Sequence, residues 1–302
     1  MSTPLNRGDD LPPVCDYEGS DYQGRFWDAG GRAYEDRVEA IALKRLLPKR
    51  GDLLLEVGAG AGRNTPRYTG YQRVVVMDYS RTQLQQAQKR LGRGQGYIFV
   101  AADIYSLPFV AGLFDGATMI RVLHHMADAP RALAEVHRVM QPKGNFILEF
   151  ANKQNLKAIL RYALGKQDWS PFGHEPIEFA SLNFVFHPAA VSQWLSSIGF
   201  QVTRQLTVSH YRLGFLKRSI PLALLVWLDS LAQWTGDLWQ LSPSVFVKAQ
   251  ASLGNKHAAA NSFFQCPQCA LPLAILKHDY VACENDHRWG IADGIYDFKT
   301  PR

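Results

Sequence analysis

DLLLEVGAGAGRN, residues 52–64, decides the fold. A short apolar run bounded by a glycine cluster reads as a buried strand meeting a tight strand-to-helix turn. Gly58, Gly60 and Gly62 let the backbone take φ values that other residues resist and pass close to a ligand. Alone, G-x-G-x-G can be a plain turn, so the flanking acids matter. RVVVMD (73–78) is a second apolar run, and Asp78 closes it 20 residues after Gly58. An acid there can hydrogen-bond both ribose hydroxyls of a nucleoside cofactor. YIFVAAD (97–103) repeats the form and ends in Asp103, which could accept from an adenine amino group. Three polar signals at successive strand ends converge on one crevice, where open α/β sheets bind ligands. Glu56 lies just before the turn and would repel a pyrophosphate. This argues against a nicotinamide dinucleotide, whose fingerprint is G-x-G-x-x-G.

Outward from this stretch, periodicity predicts helices in 31–51, 81–91, 129–140 and 188–200, and further strands at 114–122, 146–150, 201–213 and 244–251. Alternating strands and helices predict a mainly parallel sheet covered on both faces. The domain reading is a flexible lead at 1–30, a catalytic domain at 31–251 with insertions at 151–187 and 214–242, a linker at 252–262 and a metal ribbon at 263–302. With 302 residues, 47% hydrophobic and 20% charged, the composition is that of a globular chain able to bury a core without staples. The net charge of +6 is compatible with nucleic acid or an anionic membrane but too mild to choose between them. The start lacks a basic-then-apolar signal, so a cytoplasmic location is expected. The longest apolar run, 220–228, is too short to span a bilayer. Four cysteines make no disulfide framework in a chain this size.

EVGAGAGR, VVVMDYS, AADIYSLPF and the stretch 114–150 together resemble the class I S-adenosylmethionine (SAM) methyltransferases over residues 30–150. The last segment is most similar to the branch that includes quinone-biosynthesis C-methyltransferases and many small-molecule enzymes. The resemblance implies an α/β, Rossmann-like, doubly wound sheet with inserted cap helices. It implies that Glu56, Val57, Gly58, Ala59, Gly60 and Gly62 hold the methionine part of SAM. Asp78 and Tyr79 would hold the ribose, and Ala102, Asp103 and Ile104 the adenine, with Arg121 beside them.

A methyl donor of this kind needs alignment, and a base only where the acceptor must lose a proton. Candidates are His124 and His125 after the fourth strand and Glu149 on the fifth, each of which could equally be a structural loop or strand-end residue. His187 could face the pocket or cap a helix, and Tyr22, Trp27, Arg32 and Tyr34 could fold over SAM or simply pack. The aromatics of 151–187, among them Tyr162, Trp169 and Phe184, suit an apolar or planar acceptor or form a satellite core. Residues 214–242 read as an amphipathic helix rich in Trp and Leu behind Lys217 and Arg218. Such a helix lies on a membrane surface, walls a substrate tunnel, dimerises or packs on the sheet.

At the other end, Cys266-x2-Cys269, thirteen residues, then Cys283-x3-His287 is the spacing of a closed, structural zinc site. Zinc would fold a segment too small for its own core. Residues 264–298 resemble the zinc ribbon of the subunit that activates several tRNA and protein methyltransferases, above all in GIADGIYDF. The spacing also resembles the ribbon at the front of a bacterial rRNA guanine methyltransferase. Here the ribbon stands behind the catalytic domain, so neither relative's substrate carries over.

The expectation is therefore a SAM-dependent methyltransferase acting on a small, lipophilic or aromatic acceptor, with peripheral membrane contact through 214–242. The alternatives are an RNA or protein methyltransferase that recognises substrate through the ribbon, and a non-catalytic SAM-binding or interaction protein.

Overall fold

A computed structural model of the chain describes residues 4–5, 11–21, 24, 27, 31–94, 96–251, 257–277 and 279–302. Tyr22 and the first part of the expected linker lie outside the described residues. The first half of the chain runs β1 (Pro4–Leu5), β2 (Val14–Cys15), α1 (Ala33–Leu46), β3 (Gly51–Val57), β4 (Tyr71–Asp78), α2 (Arg81–Leu91), β5 (Tyr97–Ala101), β6 (Phe114–Met119), α3 (Ala129–Val139) and β7 (Met140–Ala151). It continues with α4 (Leu156–Ala163), β8 (Ile177–Ala180), β9 (Asn183–Val185), α5 (Pro188–Ile198), β10 (Phe200–Val208), α6 (Gly214–Ser219), α7 (Leu222–Ala232) and β11 (Ser244–Ala251). The ribbon supplies β12 (Ala274–Lys277), β13 (Tyr280–Ala282), β14 (Arg288–Ala292) and β15 (Ile295–Asp297).

The central sheet has the order β10-β11-β7-β6-β3-β4-β5-β15-β14-β13-β12. Strands β3 to β7 pair in parallel, and β11 enters antiparallel between β7 and β10. Parallel strands must be buried on both faces. This is why 53–57 and 74–77 are unbroken apolar runs around a single Glu. One core lies between the sheet and α3 and α5, and the second packs α1 and α2 on the opposite face. Local chemistry fixes the helix ends. Ser80 caps α2 by accepting from Gln83, Asp128 caps α3 by accepting from Arg131, and Gly199 ends α5 at φ +108°.

Four expectations change. The glycine turn leads into a single 3₁₀ turn, Thr65–Arg67, and the chain re-enters the sheet at Tyr71. The 214–242 segment is two helices, separated at Ile220 and Pro221, and a 3₁₀ turn, because proline ends α6 and its fixed φ starts α7. The described part of the lead is not free, since Val14, Cys15 and Trp27 are buried. The ribbon does not stand alone either. Strand β15 pairs in parallel with β5, Ile295 opposite Phe99 and Asp297 opposite Ala101, so the ribbon prolongs the central sheet. Phe264, Cys266, Trp289 and Phe298 share the core of the α3 face.

Phe109 joins the two parts. It is fully buried, with its ring 5.0 Å from Phe114 and 5.8 Å from Phe264. Phe109→Ala should cost about 3–5 kcal/mol in urea unfolding. A loss under about 1 kcal/mol would show that ribbon and sheet do not share one core.

Candidate active site

A cleft of about 1040 Å³, open mouth included, lies at the carboxyl ends of β3, β4 and β6. Its floor is the glycine turn. Gly58, Gly60 and Gly62 have φ of +65°, +55° and +72°, a region costly for residues with a Cβ. At Gly58 a Cβ would stand 2.2 Å from Val122 Cγ2, so no side chain fits. At Gly60 a Cβ would meet only Gln83 Oε1, at 3.9 Å, so the backbone there faces open space where a ligand can approach it. That Gln83 oxygen is buried and has no hydrogen-bond partner among the described residues. A polar ligand in the cleft would supply one.

Two carboxylates flank the turn. Glu56 is buried and accepts from Thr65 Oγ1 (2.5 Å) and Tyr68 Oη (3.2 Å). Burial pushes its carboxyl up to about 7 against those hydrogen bonds. Asp78 accepts from the Ser80 N–H (2.9 Å) and the Gly60 N–H (2.8 Å), and burial pushes it up to about 6. Each oxygen keeps lone pairs for a ligand.

Behind the turn, Glu39 is fully buried between Arg63 (2.8 Å) and Arg121. Burial alone would raise its carboxyl, but the two guanidiniums outweigh it and hold Glu39 below its usual range. Arg63 carries the Trp27 ring 3.6 Å from its guanidinium carbon, and Arg121 lies 5.0 Å from the same ring. Arg121 has φ 59°, a strained geometry for a residue with a side chain. Its N–H donates to Glu149 Oε2 at 2.8 Å, and Ser244 donates to the other oxygen. Glu149 is thus engaged with structure and does not line the cleft.

Of the expected SAM residues, Glu56, Val57, Gly58, Ala59, Gly60, Asp78, Tyr79, Ala102, Ile104 and Arg121 line the cleft. Gly62 lies outside that lining and packs on α2, while the Asp103 carboxylate is turned to its own chain, accepting from the Tyr105 N–H at 3.0 Å. The two histidines diverge. His125 reaches the cleft, with Nδ1 3.0 Å from the Leu182 carbonyl and Nε2 3.2 Å from Tyr17 Oη. Burial works against its charged form, but Cys15 and that carbonyl outweigh it, so its pKa is raised. His124 is off the lining, and burial with neighbouring His125 and Arg121 drives its pKa well down.

His187 caps α5, Tyr34 donates to Asp229 at 2.6 Å, and Arg32 pairs with Glu35, so these three serve packing. Sequence reasoning missed Cys15 and Tyr17 in the cleft wall. VCDY (14–17) carries no period or motif that would mark it.

The second cluster is Cys266, Cys269, Cys283 and His287, whose ligand atoms all lie within 4.8 Å of one another. Cys269 and Cys283 sulfurs are 3.6 Å apart, and His287 Nδ1 is 3.5 Å from both Cys266 and Cys283 sulfurs. Tetrahedral zinc with ~2.3 Å sulfur bonds sets ligand edges of roughly 3.8 Å, so the donor set and spacing fit.

With the cleft defined, its relatives can be placed. Residues 55–148 match the methyltransferase domain family. The chain is 30% identical over 173 residues to the 2-phytyl-1,4-naphtoquinone methyltransferase of Nostoc punctiforme, covering 46% of this chain and 74% of that protein. It is 34% identical over 119 residues to the O-methyltransferase cnsE of Penicillium expansum, covering 37% of this chain and 43% of that one. The match thus spans less than half of the latter relative. Among solved structures, a methyltransferase in complex with the Haloferax volcanii Trm112 methyltransferase activator shares the fold, with TM-score 0.54 and 18% identity, covering 76% of this chain and 96% of that one. The chain belongs to the class I SAM-dependent methyltransferase family.

If SAM fills this cleft, its ammonium and sulfonium charges would favour ionised Glu56, and ribose hydroxyls donating to Asp78 would favour its ionised form as well. These two titrate near 7 and 6 in the free protein. Calorimetric affinity for SAM should therefore weaken as pH falls from about 8 to about 5.5, by up to tenfold per unit for each group that must lose a proton. A pH-independent affinity would show that neither carboxylate meets the ligand.

Proposed function

We propose that this protein transfers a methyl group from SAM to a small, lipophilic or aromatic acceptor. The observation that carries the reading is the cleft's division of labour. Polar groups come from the ends of β3 and β4, and an apolar wall of Ile120, Val122 and Met126 with His125 follows β6. Relatives named as quinone and O-methyltransferases support the same class of acceptor.

SAM, when bound, supplies a methyl group already activated on sulfur. Glu56 with Val57, Gly58, Ala59 and Gly60 would hold its charged end. Asp78 and Tyr79 would hold the ribose, and Ala102 and Ile104 would enclose the base. Asp103 would shape that loop through its bond to Tyr105. Trp27, stacked on Arg63, forms part of the cleft wall beside the turn.

His125 is the proton acceptor of choice. Its Nδ1 can only donate to the Leu182 carbonyl, which leaves the Nε2 lone pair toward Tyr17 and the cleft. A proton from the acceptor can move to Nε2 directly or through the Tyr17 hydroxyl. A raised pKa means the ring is a base only above its ordinary value, so turnover should rise with pH through a midpoint above about 6.5. His125→Ala should remove that limb and lower kcat by about 10²–10⁴ while SAM affinity stays constant. An unchanged pH profile would assign the histidine a structural role.

Zinc on Cys266, Cys269, Cys283 and His287 would be structural, because four protein ligands leave no open position. The ribbon packs beside the loop against which the adenosine half of SAM would lie. Gln265 donates to the Pro108 carbonyl and Ser106 to the Pro267 carbonyl, both just beyond Ile104. Lys299 sits 5.0 Å from the Tyr79 ring centre. The acceptor wall lies across β3 on the β6 side, away from the ribbon. This favours a brace for the cofactor site over a substrate reader, and so disfavours an RNA or protein acceptor. Removing zinc with a chelator, or Cys266→Ser with Cys269→Ser, should lower Tm by at least about 4 °C and weaken SAM binding together. Loss of acceptor binding alone would instead make the ribbon a substrate-presenting module.

The test of the acceptor is transfer from methyl-labelled SAM into a host-cell extract split into lipid, RNA and protein. Label in the lipid or small-molecule fraction supports the reading. Label in RNA or protein overturns it, and tight SAM binding with no label in any fraction would favour a non-catalytic SAM-binding protein.

A further inference from the structure

Among the described residues no helix is long and apolar enough to cross a membrane. Yet one face is strongly apolar. On α7, Leu225 and Asp229 point inward, and Leu224, Trp227 and Leu231 form an outward stripe at i, i+3, i+7, with Trp227 58% exposed. A helix apolar on both sides needs a partner on both sides. Helix α4 repeats the pattern. Leu156, Leu160 and Leu164 are exposed at i, i+4, i+8, and Lys157 and Arg161 run beside them.

The 238–241 segment, which follows α7 in the chain, touches the start of α4. The Leu156 N–H donates to the Leu241 carbonyl (2.8 Å), and Asn152 Nδ2 donates to the Gln240 and Ser242 carbonyls. Leu238 and Trp239, in the same segment, are also exposed.

We propose that α4, α7 and the 238–241 segment form one docking face for an anionic lipid bilayer. Charge selects the occupant. Within 154–167 the charged side chains are Lys157, Arg161 and Lys166, with no acid among them, and Arg218 stands on α6. Lys157, Arg161, Lys166 and Arg218 are exposed. Exposed Trp and Leu enter the headgroup boundary while neighbouring Lys and Arg meet acidic headgroups. A second copy of the chain fits less well, because a two-fold interface through this face would bring the same cations together. The face also adjoins the acceptor side of the cleft. The β8–β9 hairpin exposes Phe179, and its Leu182 carbonyl is the partner of His125. On the lipophilic-acceptor reading, on which this last point alone rests, the acceptor would come from the bilayer.

The experiment is flotation of the full chain with vesicles of phosphatidylcholine alone, or of phosphatidylcholine and phosphatidylglycerol in equal parts, without SAM or acceptor. Binding is expected to the acidic vesicles and to fall at high salt. It should weaken about tenfold or more in Lys157→Glu/Arg161→Glu, and separately in Trp227→Ser/Leu231→Ser. All four positions are exposed, and unchanged melting shows that the variants fold. Equal binding to both vesicle types, no binding to either, or a concentration-dependent dimer lost in Trp227→Ser/Leu231→Ser would overturn the proposal. Because the assay contains no methyl donor, its failure leaves the methyl-transfer reading intact, and failure of methyl transfer leaves vesicle binding to be read independently.

Discussion

The absence of one methyl group at residue 58 holds the site together. Gly58 turns the chain out of β3 at φ +65°, and Val122 occupies the space a Cβ would need. That turn delivers the Gly60 N–H to Asp78 and leaves Glu56 beneath the loop with Thr65 and Tyr68 as its donors. Burial raises both carboxyls in the free protein, to about 7 and about 6, and a ligand that donates to them or brings positive charge would favour their ionised forms. The loop is then locked from behind by a fully buried carboxylate, Glu39, shared by Arg63 and Arg121. Removing both arginines would leave Glu39 without either of its ion-pair partners in the core, a costly state. The constellation therefore acts as a unit.

Much of this was legible in the sequence. The apolar runs of β3 and β4 end at Gly58 and Asp78, and that of β5 runs on through Ala102 to Asp103; burial of a parallel sheet forces such runs. The same logic placed Glu56, Asp78 and the glycines at one crevice. What escaped has physical reasons. Asp103 lies off the cleft's lining, with one carboxylate oxygen accepting from the Tyr105 N–H two residues on, a local bond that strand periodicity does not mark. Glu149 looked like a base and instead satisfies the strained Arg121 backbone. Cys15 and Tyr17 reach the cleft through long-range packing, and His125 shows that its Tyr17 partner lies 108 residues away, beyond any local pattern. The break between α6 and α7 was readable from Pro221 and was overridden by the continuous Trp and Leu period around it.

The ribbon changes character once its pairing is known. As a sequence it is a separate tail with metal spacing. In the fold it covers the β5 edge, which would otherwise present unpaired backbone groups, and β15 satisfies them in register. Arg81 reaches Asp297 at 3.6 Å, and Gln88 donates to the Asp293 carbonyl at 2.9 Å, tying α2 to the same strand. On the proposed reading, the ribbon, with its Cys3His cluster, finishes the sheet beside the β4 and β5 ends and would tie the order of that end of the cleft to its own. The opposite wall of the cleft comes from other parts, the N-terminal segment and the β6 exit, and Glu18 of that segment reaches back to Lys299 of the ribbon at 3.8 Å.

The central claim is that the glycine turn and its two carboxylates form a SAM site and not a dinucleotide site. Titration calorimetry of the intact protein with SAM, its demethylated product and NAD tests it most directly. The account predicts saturable one-to-one binding of SAM and product, no measurable binding of NAD, and at least about tenfold weaker SAM binding in Asp78→Ala, the loss of a charge-assisted pair of hydrogen bonds. Binding of NAD in preference to SAM, or SAM binding indifferent to Asp78, would contradict it.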